Sequence, residues 1–213
     1  HDLLEGSYAR CGFASDVQFY EEYPSRYSID SSRRHRWIRG DWQIGNWFLP
    51  FVPAADKGFK KNSISALSRW KLFDNLRRSL VPIAMLILLV SGWTILSSPW
   101  LWTFMVLAVI FIPTLVTSAW NIYWKPKEVT VTQHINNASI LTSKSILQAA
   151  FSLMCLPYEA LYSLDAITRT LWRINISGKN LLEWNPSGFL KQKKEGLVPT
   201  YRTMWIAPVL SIL

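Results

Sequence analysis

The sequence is short of several things at once. Its 213 residues hold only two cysteines, Cys11 and Cys155. That is too few for a disulfide framework and excludes a small secreted scaffold. A charged fraction of 17% is too low for a disordered chain or a coiled coil, and nine glycines without a repeat exclude a collagen-like chain. Acidic residues are scarce: 14 Asp and Glu stand against 23 Lys and Arg, for a net charge of +9. The most informative absence is local. From Leu80 to Trp124, 45 consecutive residues carry no Asp, Glu, Lys, Arg or His. Soluble helices seldom avoid charge for so long.

A helix needs ~20 apolar residues to cross a bilayer, so this stretch holds two: Leu80–Leu96 and about Trp100–Trp120. Ser97-Ser98-Pro99 supplies the turn between them. Trp93, Trp100, Trp102, Trp120, Tyr123 and Trp124 lie toward the span ends, where amphipathic rings favour the headgroup region. Pro82 falls in a first turn, and Pro113 is expected to kink the second span. Arg69, Lys71, Arg77 and Arg78 precede the pair, Lys125 and Lys127 follow it, and the turn has no charge. By the positive-inside rule, residues 1–79 are cytoplasmic and the turn is outside.

Residues 125–145 are polar and read as a loop, with a short strand at Val129–Thr132. Residues 145–172 are apolar but interrupted by Pro157, Glu159, Asp165 and Arg169. Charges of this kind are costly in lipid, so the segment reads as a helix pair lying at the interface, with a third span as the alternative. Lys191–Lys194 then forms a headgroup-facing basic patch. Met204–Leu213 is apolar to its last residue and reads as the start of a further span. With no initial Met and no signal peptide before His1, the chain reads as a piece of a longer one. The organisation expected is therefore 1–79, 80–124, 125–202 and 203–213. Nucleic acid is not expected as a partner, because the positive charges cluster beside the spans, where topology already requires them.

Residues 1–49 carry the chemistry. Ser15–Tyr23 suits a short strand ended by Pro24. Residues 31–49 suit a helix capped by Asp30 or Ser31. At 100° per residue, Arg33, Arg36, Trp37, Gly40, Gln43 and Trp47 share a sector, opposite an apolar face of Ile38, Trp42, Gly45 and Leu49. The apolar face suits a membrane surface. The arginine face suits a pyrophosphate and a sugar, since guanidinium forks match phosphate oxygens and an indole packs on a pyranose ring. The same pattern suits an interfacial helix whose arginines meet lipid phosphates. His35 falls on neither side and reads as structural.

Arg33-Arg34-His35-Arg36-Trp37, followed by Arg39-Gly40 and Gln43, resembles the Q-x-x-R-W motif of membrane-embedded processive glycosyltransferases such as cellulose, chitin and hyaluronan synthases. The motif's Gln is Arg33 here. His1-Asp2 resembles the end of their T-E-D motif. Three further segments narrow the likeness: His1–Gly6, Glu22-Tyr23-Pro24-Ser25-Arg26-Tyr27, and Arg34–Gln43 with Asp41 after Gly40. Together they resemble the glucosyltransferase region of cyclic β-1,2-glucan synthases, and Leu156–Ala160, Leu164–Leu171 and Leu181–Trp184 continue it.

The resemblance implies the C-terminal part of a glycosyltransferase A-type α/β domain, followed by interfacial and transmembrane helices. It implies inverting transfer of glucose from UDP-glucose to a growing β-1,2-glucan at a bacterial inner membrane. Synthesis of another β-linked glycan is the alternative, and a non-enzymatic transporter or scaffold is the third reading. Asp2 would be the catalytic base. Arg36, with Arg33 and Arg34, would hold the donor diphosphate. Trp37, Gln43 and Trp47 would hold the acceptor, with Glu5 and Arg39 in support. The expected divalent metal, Mg or Mn, would find its ligands upstream, so these residues alone should be inactive.

Overall fold

The charge-free stretch folds as two long helices, and a third follows them. The computed structural model describes residues 2–9, 12, 14–20, 24, 26–54, 58–181, 204–205 and 209. Its α-helices are α1 (Asp2–Tyr8), α2 (Tyr27–Gln43), α3 (Ala66–Thr94), α4 (Pro99–Tyr123) and α5 (Val131–Trp172). A 3-10 turn, Gly45–Phe48, and an antiparallel hairpin, β1 (Phe51–Pro53) with β2 (Phe59–Lys61), join α2 to α3. A π turn, Arg173–Ser177, ends α5 at Gly178, whose φ of 60° suits a residue without Cβ. Helices Ala66–Thr94, Pro99–Tyr123 and Val131–Ser177 are each long and apolar enough to cross a membrane. The outer side of α4 is apolar from Trp100 through Phe104, Val109 and Ile112 to Val116, all exposed, a surface that suits lipid and not water.

The chain divides into two units. One comprises residues 83–158 and 206–213, the other 1–82 and 159–205. In the first, Leu89, Val106 and Leu156 form a buried cluster with Met85, Leu88, Ile110 and Leu153 packed around it. Ser98 takes the left-handed conformation at the tight turn, and Pro99 opens α4 at N1. Gly92 is buried against Trp102, and a Cβ there would lie 2.6 Å from the Trp102 Cβ. The indole N–H groups near the turn find acceptors: Trp93 donates to Thr103 Oγ1 at 2.9 Å and Trp102 to the Ser97 carbonyl at 3.1 Å.

In the second unit, Asn62 ties the 3-10 turn to the hairpin and to the approach to α3. Its Nδ2 donates to the carbonyls of Trp47 and Leu49 at 2.6 and 2.9 Å, while its Oδ1 accepts from the Ile64 amide. Val52 fills the inner side of the hairpin, and Arg69 Nε donates to the Phe48 carbonyl at 2.8 Å.

Several expectations are corrected here. Residues 125–145 are mostly helix: α5 begins at Val131 and also replaces the strand expected at Val129–Thr132. Its inward stripe there is Ala138, Thr142 and Ser145, small or polar residues that leave no apolar period to read. The stripe continues at the same spacing through Ala149, Leu153, Leu156, Ala160, Ser163, Ile167 and Thr170. Residues 145–172 are therefore part of one continuous helix, not a pair. Pro157 removes only the bond to the Leu153 carbonyl, and the helix continues through it. Pro82 lies well inside α3 rather than in a first turn. Among the described residues, Ser15 and Asp16 form a turn and 17–20 have no regular structure and no strand partner. Phe19 and Tyr20 lie exposed, and a strand without a neighbour satisfies none of its backbone groups. The basic run Lys191–Lys194 lies outside the described residues, as does most of Met204–Leu213.

Candidate functional site

The arginine-rich helix α2 starts at Tyr27, four residues earlier than the pattern predicts, with Arg26 as an extended N-cap. Asp30 and Ser31 therefore do not cap it. Asp30 sits inside the first turn, where a carboxylate complements the helix dipole, and is only 7% exposed. It accepts Arg33 Nη2 and Arg34 Nε, each at 2.8 Å. The Arg33 guanidinium also lies over the Trp37 ring, 4.7 Å from its centroid. One buried carboxylate thus gathers the two adjacent arginines that open the motif.

The end of α2 packs on the first half of α3. Trp42 Nε1 donates to Ser79 Oγ at 2.9 Å, Asn75 Nδ2 donates to Asp41 Oδ1 at 3.1 Å, and Gly45 abuts Leu76. The face expected to meet a membrane surface meets α3 instead, and the helix stops at Gln43, before Trp47 and Leu49. The end of α5 supplies two more anchors. Glu159 accepts from Arg34 Nη1 and from the Tyr27 hydroxyl, each at 3.3 Å. Asp165 lies 2.9 Å from His35 Nε2 and is held by Arg169 Nε at 2.7 Å. The charges that looked costly in an apolar run are therefore paired.

These elements enclose an open cavity of about 950 Å³. The second half of α2 lines it with Arg34, Arg36, Trp37, Ile38, Arg39, Gly40, Asp41 and Gln43. Asp2 and Leu3 of α1, Asn75, Arg78, Ser79 and Pro82 of α3, Glu159, Tyr162 and Ser163 of α5, and Leu181 complete it. Four guanidiniums, three carboxylates and an indole share the space. That composition suits an anionic group beside a polyhydroxylated one. Burial pushes the Asp41 carboxyl above its ordinary range, against the Asn75 hydrogen bond and the Arg78 charge that pull it down. At Arg34, burial works against the charge, but Tyr162, Asp30 and Glu159 outweigh it and hold the guanidinium above its ordinary value.

No family model matches the chain. Against individual proteins, it is 34% identical over 216 aligned residues to the cyclic β-(1,2)-glucan synthase NdvB of Rhizobium meliloti (strain 1021). The match takes in the whole of this chain. The chain is related to a segment of a cyclic β-(1,2)-glucan synthase. It spans 7% of the length of that relative. The resemblance read from the motif segments thus extends through the helices that follow them.

Of the residues singled out from the sequence, Asp2, Arg34, Arg36, Trp37, Arg39 and Gln43 line the cavity. Arg33, Glu5 and Trp47 do not. Arg33 is turned to Asp30 and the Trp37 ring, and Glu5 lies on α1 with its carbonyl accepting from Ala9. Trp47, on the 3-10 turn, packs edge-on against Tyr8 at 5.9 Å. Gln43 reaches the cavity rim, where its amide donates to the Leu181 carbonyl. His35 has the structural place its position suggests, bonded to Asp165. Sequence reasoning missed Asp41, Asn75, Arg78, Glu159 and Tyr162 as cavity residues. Glu159 carried a signal, as a carboxylate inside an apolar run, and Asp41 carried one as the acidic residue after Gly40 in the motif segment. Among the described residues no three His, Cys, Asp or Glu side chains are grouped to hold a metal ion, so these residues do not fit the divalent metal that the resemblance implies.

Proposed function

We propose that this segment forms the motif-bearing wall of a glucosyltransferase site, part of an enzyme that elongates β-1,2-glucan from UDP-glucose with inversion at a bacterial inner membrane. The observation that carries the reading is one cavity lined by Asp2, Arg36, Trp37, Arg39 and Gln43, drawn from two separate motifs of a chain that matches a glucan synthase along its whole length. In the reaction an acceptor hydroxyl oxygen attacks the anomeric carbon of the donor glucose. Its proton passes to the Asp2 carboxylate as the bond from that carbon to the diphosphate oxygen breaks, and UDP leaves with the electron pair. Arg36 and Arg39 stabilise the charge that develops on the diphosphate, where a positioned donor is worth most. The half-exposed Trp37 ring offers a flat apolar surface to the glucan end. The uridine-holding elements of an A-type domain and the divalent metal belong to other parts of the enzyme.

The test is Asp2→Asn in the full-length enzyme. Transfer from labelled UDP-glucose should fall by about 10²–10⁴, the range a general base supplies, with UDP-glucose affinity kept within about twofold. Normal turnover in that variant would exclude the assignment.

A further inference from the structure

We propose that Glu159 and Asp165 are positioning residues for the transferase site, setting the rotation of α2 through Arg34 and His35. The inference rests on the reading that Arg36 and Trp37 serve the transfer. Arg34 and His35 are adjacent on α2 and so project about 100° apart around its axis. Each is met by a different carboxylate of α5: Glu159 at 3.3 Å from Arg34 Nη1, and Asp165 at 2.9 Å from His35 Nε2. Those carboxylates are six positions apart, about 9 Å along α5 at 1.5 Å per residue. A single contact leaves a helix free to pivot about it, whereas two contacts in different directions and at different heights fix both rotation and slide. Each carboxylate is itself braced, Glu159 by the Tyr27 hydroxyl and Asp165 by Arg169.

The two residues after this anchored pair are Arg36 and Trp37. A turn of α2 by 10° moves a side-chain head on an arm of about 6 Å by about 1 Å. A misplacement of that size costs about a hundredfold in a positioned reaction. Neither carboxylate needs to touch the sugar nucleotide or the glucan to govern the rate.

The test uses the full-length enzyme in membrane vesicles with labelled UDP-glucose, reading kcat and KM per immunoblotted enzyme. Glu159→Gln and Asp165→Asn should each lower kcat by about tenfold to a hundredfold, with KM for UDP-glucose changed less than about threefold. In an Arg34→Gln background, Glu159→Gln should lower kcat less than about twofold further, because the residue it acts through is already gone. Wild-type kcat in both single variants overturns the proposal. An undiminished Glu159→Gln effect in the Arg34→Gln background overturns it too, since Glu159 would then act independently of Arg34. If Glu159→Gln fails to accumulate, Tyr27→Phe replaces it: a two- to fivefold fall in kcat supports the role, and an unchanged kcat counts against it. Arg36→Ala separates the two claims. Wild-type turnover there sinks the transferase reading and the positioning role with it. An inactive Arg36→Ala beside fully active Glu159→Gln and Asp165→Asn sinks the positioning role alone.

Discussion

Gly92→Ala is a substitution whose ordinary effect the structure reverses. In the middle of a helix, Ala is favoured over Gly by about 0.8–1.0 kcal/mol, so α3 taken alone should gain. But Gly92 is buried against α4, and a Cβ built on it meets Trp102 Cβ at 2.6 Å, Cγ at 3.0 Å and Cδ1 at 3.3 Å. Carbon atoms in good contact sit ~3.5–4.0 Å apart, so the two helices must part locally by about 1 Å. The nearest atom is the Trp102 Cβ, which is tied to the α4 backbone, so no rotamer change relieves it. A contact that no rotamer change relieves falls in the upper part of the ~1–3 kcal/mol range for overpacking, about 2–3 kcal/mol, which leaves a net loss of about 1–2 kcal/mol after the propensity gain. The assay is SDS-driven unfolding of the chain in mixed micelles, followed by circular dichroism. A second arm places Gly92→Ala in a Trp102→Gly background, where the obstructing atom is absent and the substitution should stabilise by about 1 kcal/mol. Stability of Gly92→Ala at or above wild type, or the same sign in both backgrounds, refutes the reasoning.

Asn62→Ala removes two carbonyl-directed donors and one acceptor at a buried position. At about 1 kcal/mol per bond it should destabilise the chain by ~2–4 kcal/mol; a loss under about 0.5 kcal/mol in denaturant unfolding contradicts that account of the link to α3. Asp41 has its folded carboxyl pKa raised by burial, so its favourable contribution is present below the ordinary carboxylate pKa of ~4. That contribution is lost as pH rises through the folded value. Asp41→Asn should flatten this acid-side dependence and raise stability at neutral pH relative to wild type, and unchanged pH profiles would disprove the burial argument. Trp37→Ala in the full-length enzyme should slow glucan elongation by about tenfold, equivalent to ~1.4 kcal/mol of lost contact, while UDP-glucose affinity stays within twofold. Equal losses of elongation and donor affinity would move Trp37 from the acceptor to the donor.

Legibility followed the strength of the local signal. The hairpin of α3 and α4 was plain because 45 residues without charge leave few alternatives, and Ser97-Ser98-Pro99 marks its turn to within two residues. The start of α5 was hidden because its buried stripe is made of Ala138, Thr142 and Ser145, whose burial depends on close packing and not on hydrophobicity. The helical reading of residues 31–49 found the motif helix but overran its end. Nothing in the residues from Gly45 to Phe48 announces a 3-10 turn, and with it the shared sector of Trp47 dissolves. Among the site residues, the carboxylate-to-arginine spacing of Asp30, Arg33 and Arg34 is local and readable, at i+3 and i+4.

The sequence by itself determined which segments are apolar enough to cross a membrane and which carry the charge. It also determined, through motifs in order, the relationship to a glucan synthase, because hydropathy and motif chemistry are properties of neighbouring residues. Tertiary structure alone decided which arginines line the cavity, and that Glu159 and Asp165 grip α2. Those pairs join residues 125 to 130 positions apart, and no local pattern specifies a partner at that distance. A charge in an apolar helix states only that it needs a counter-charge, and the fold supplies the one that reaches it.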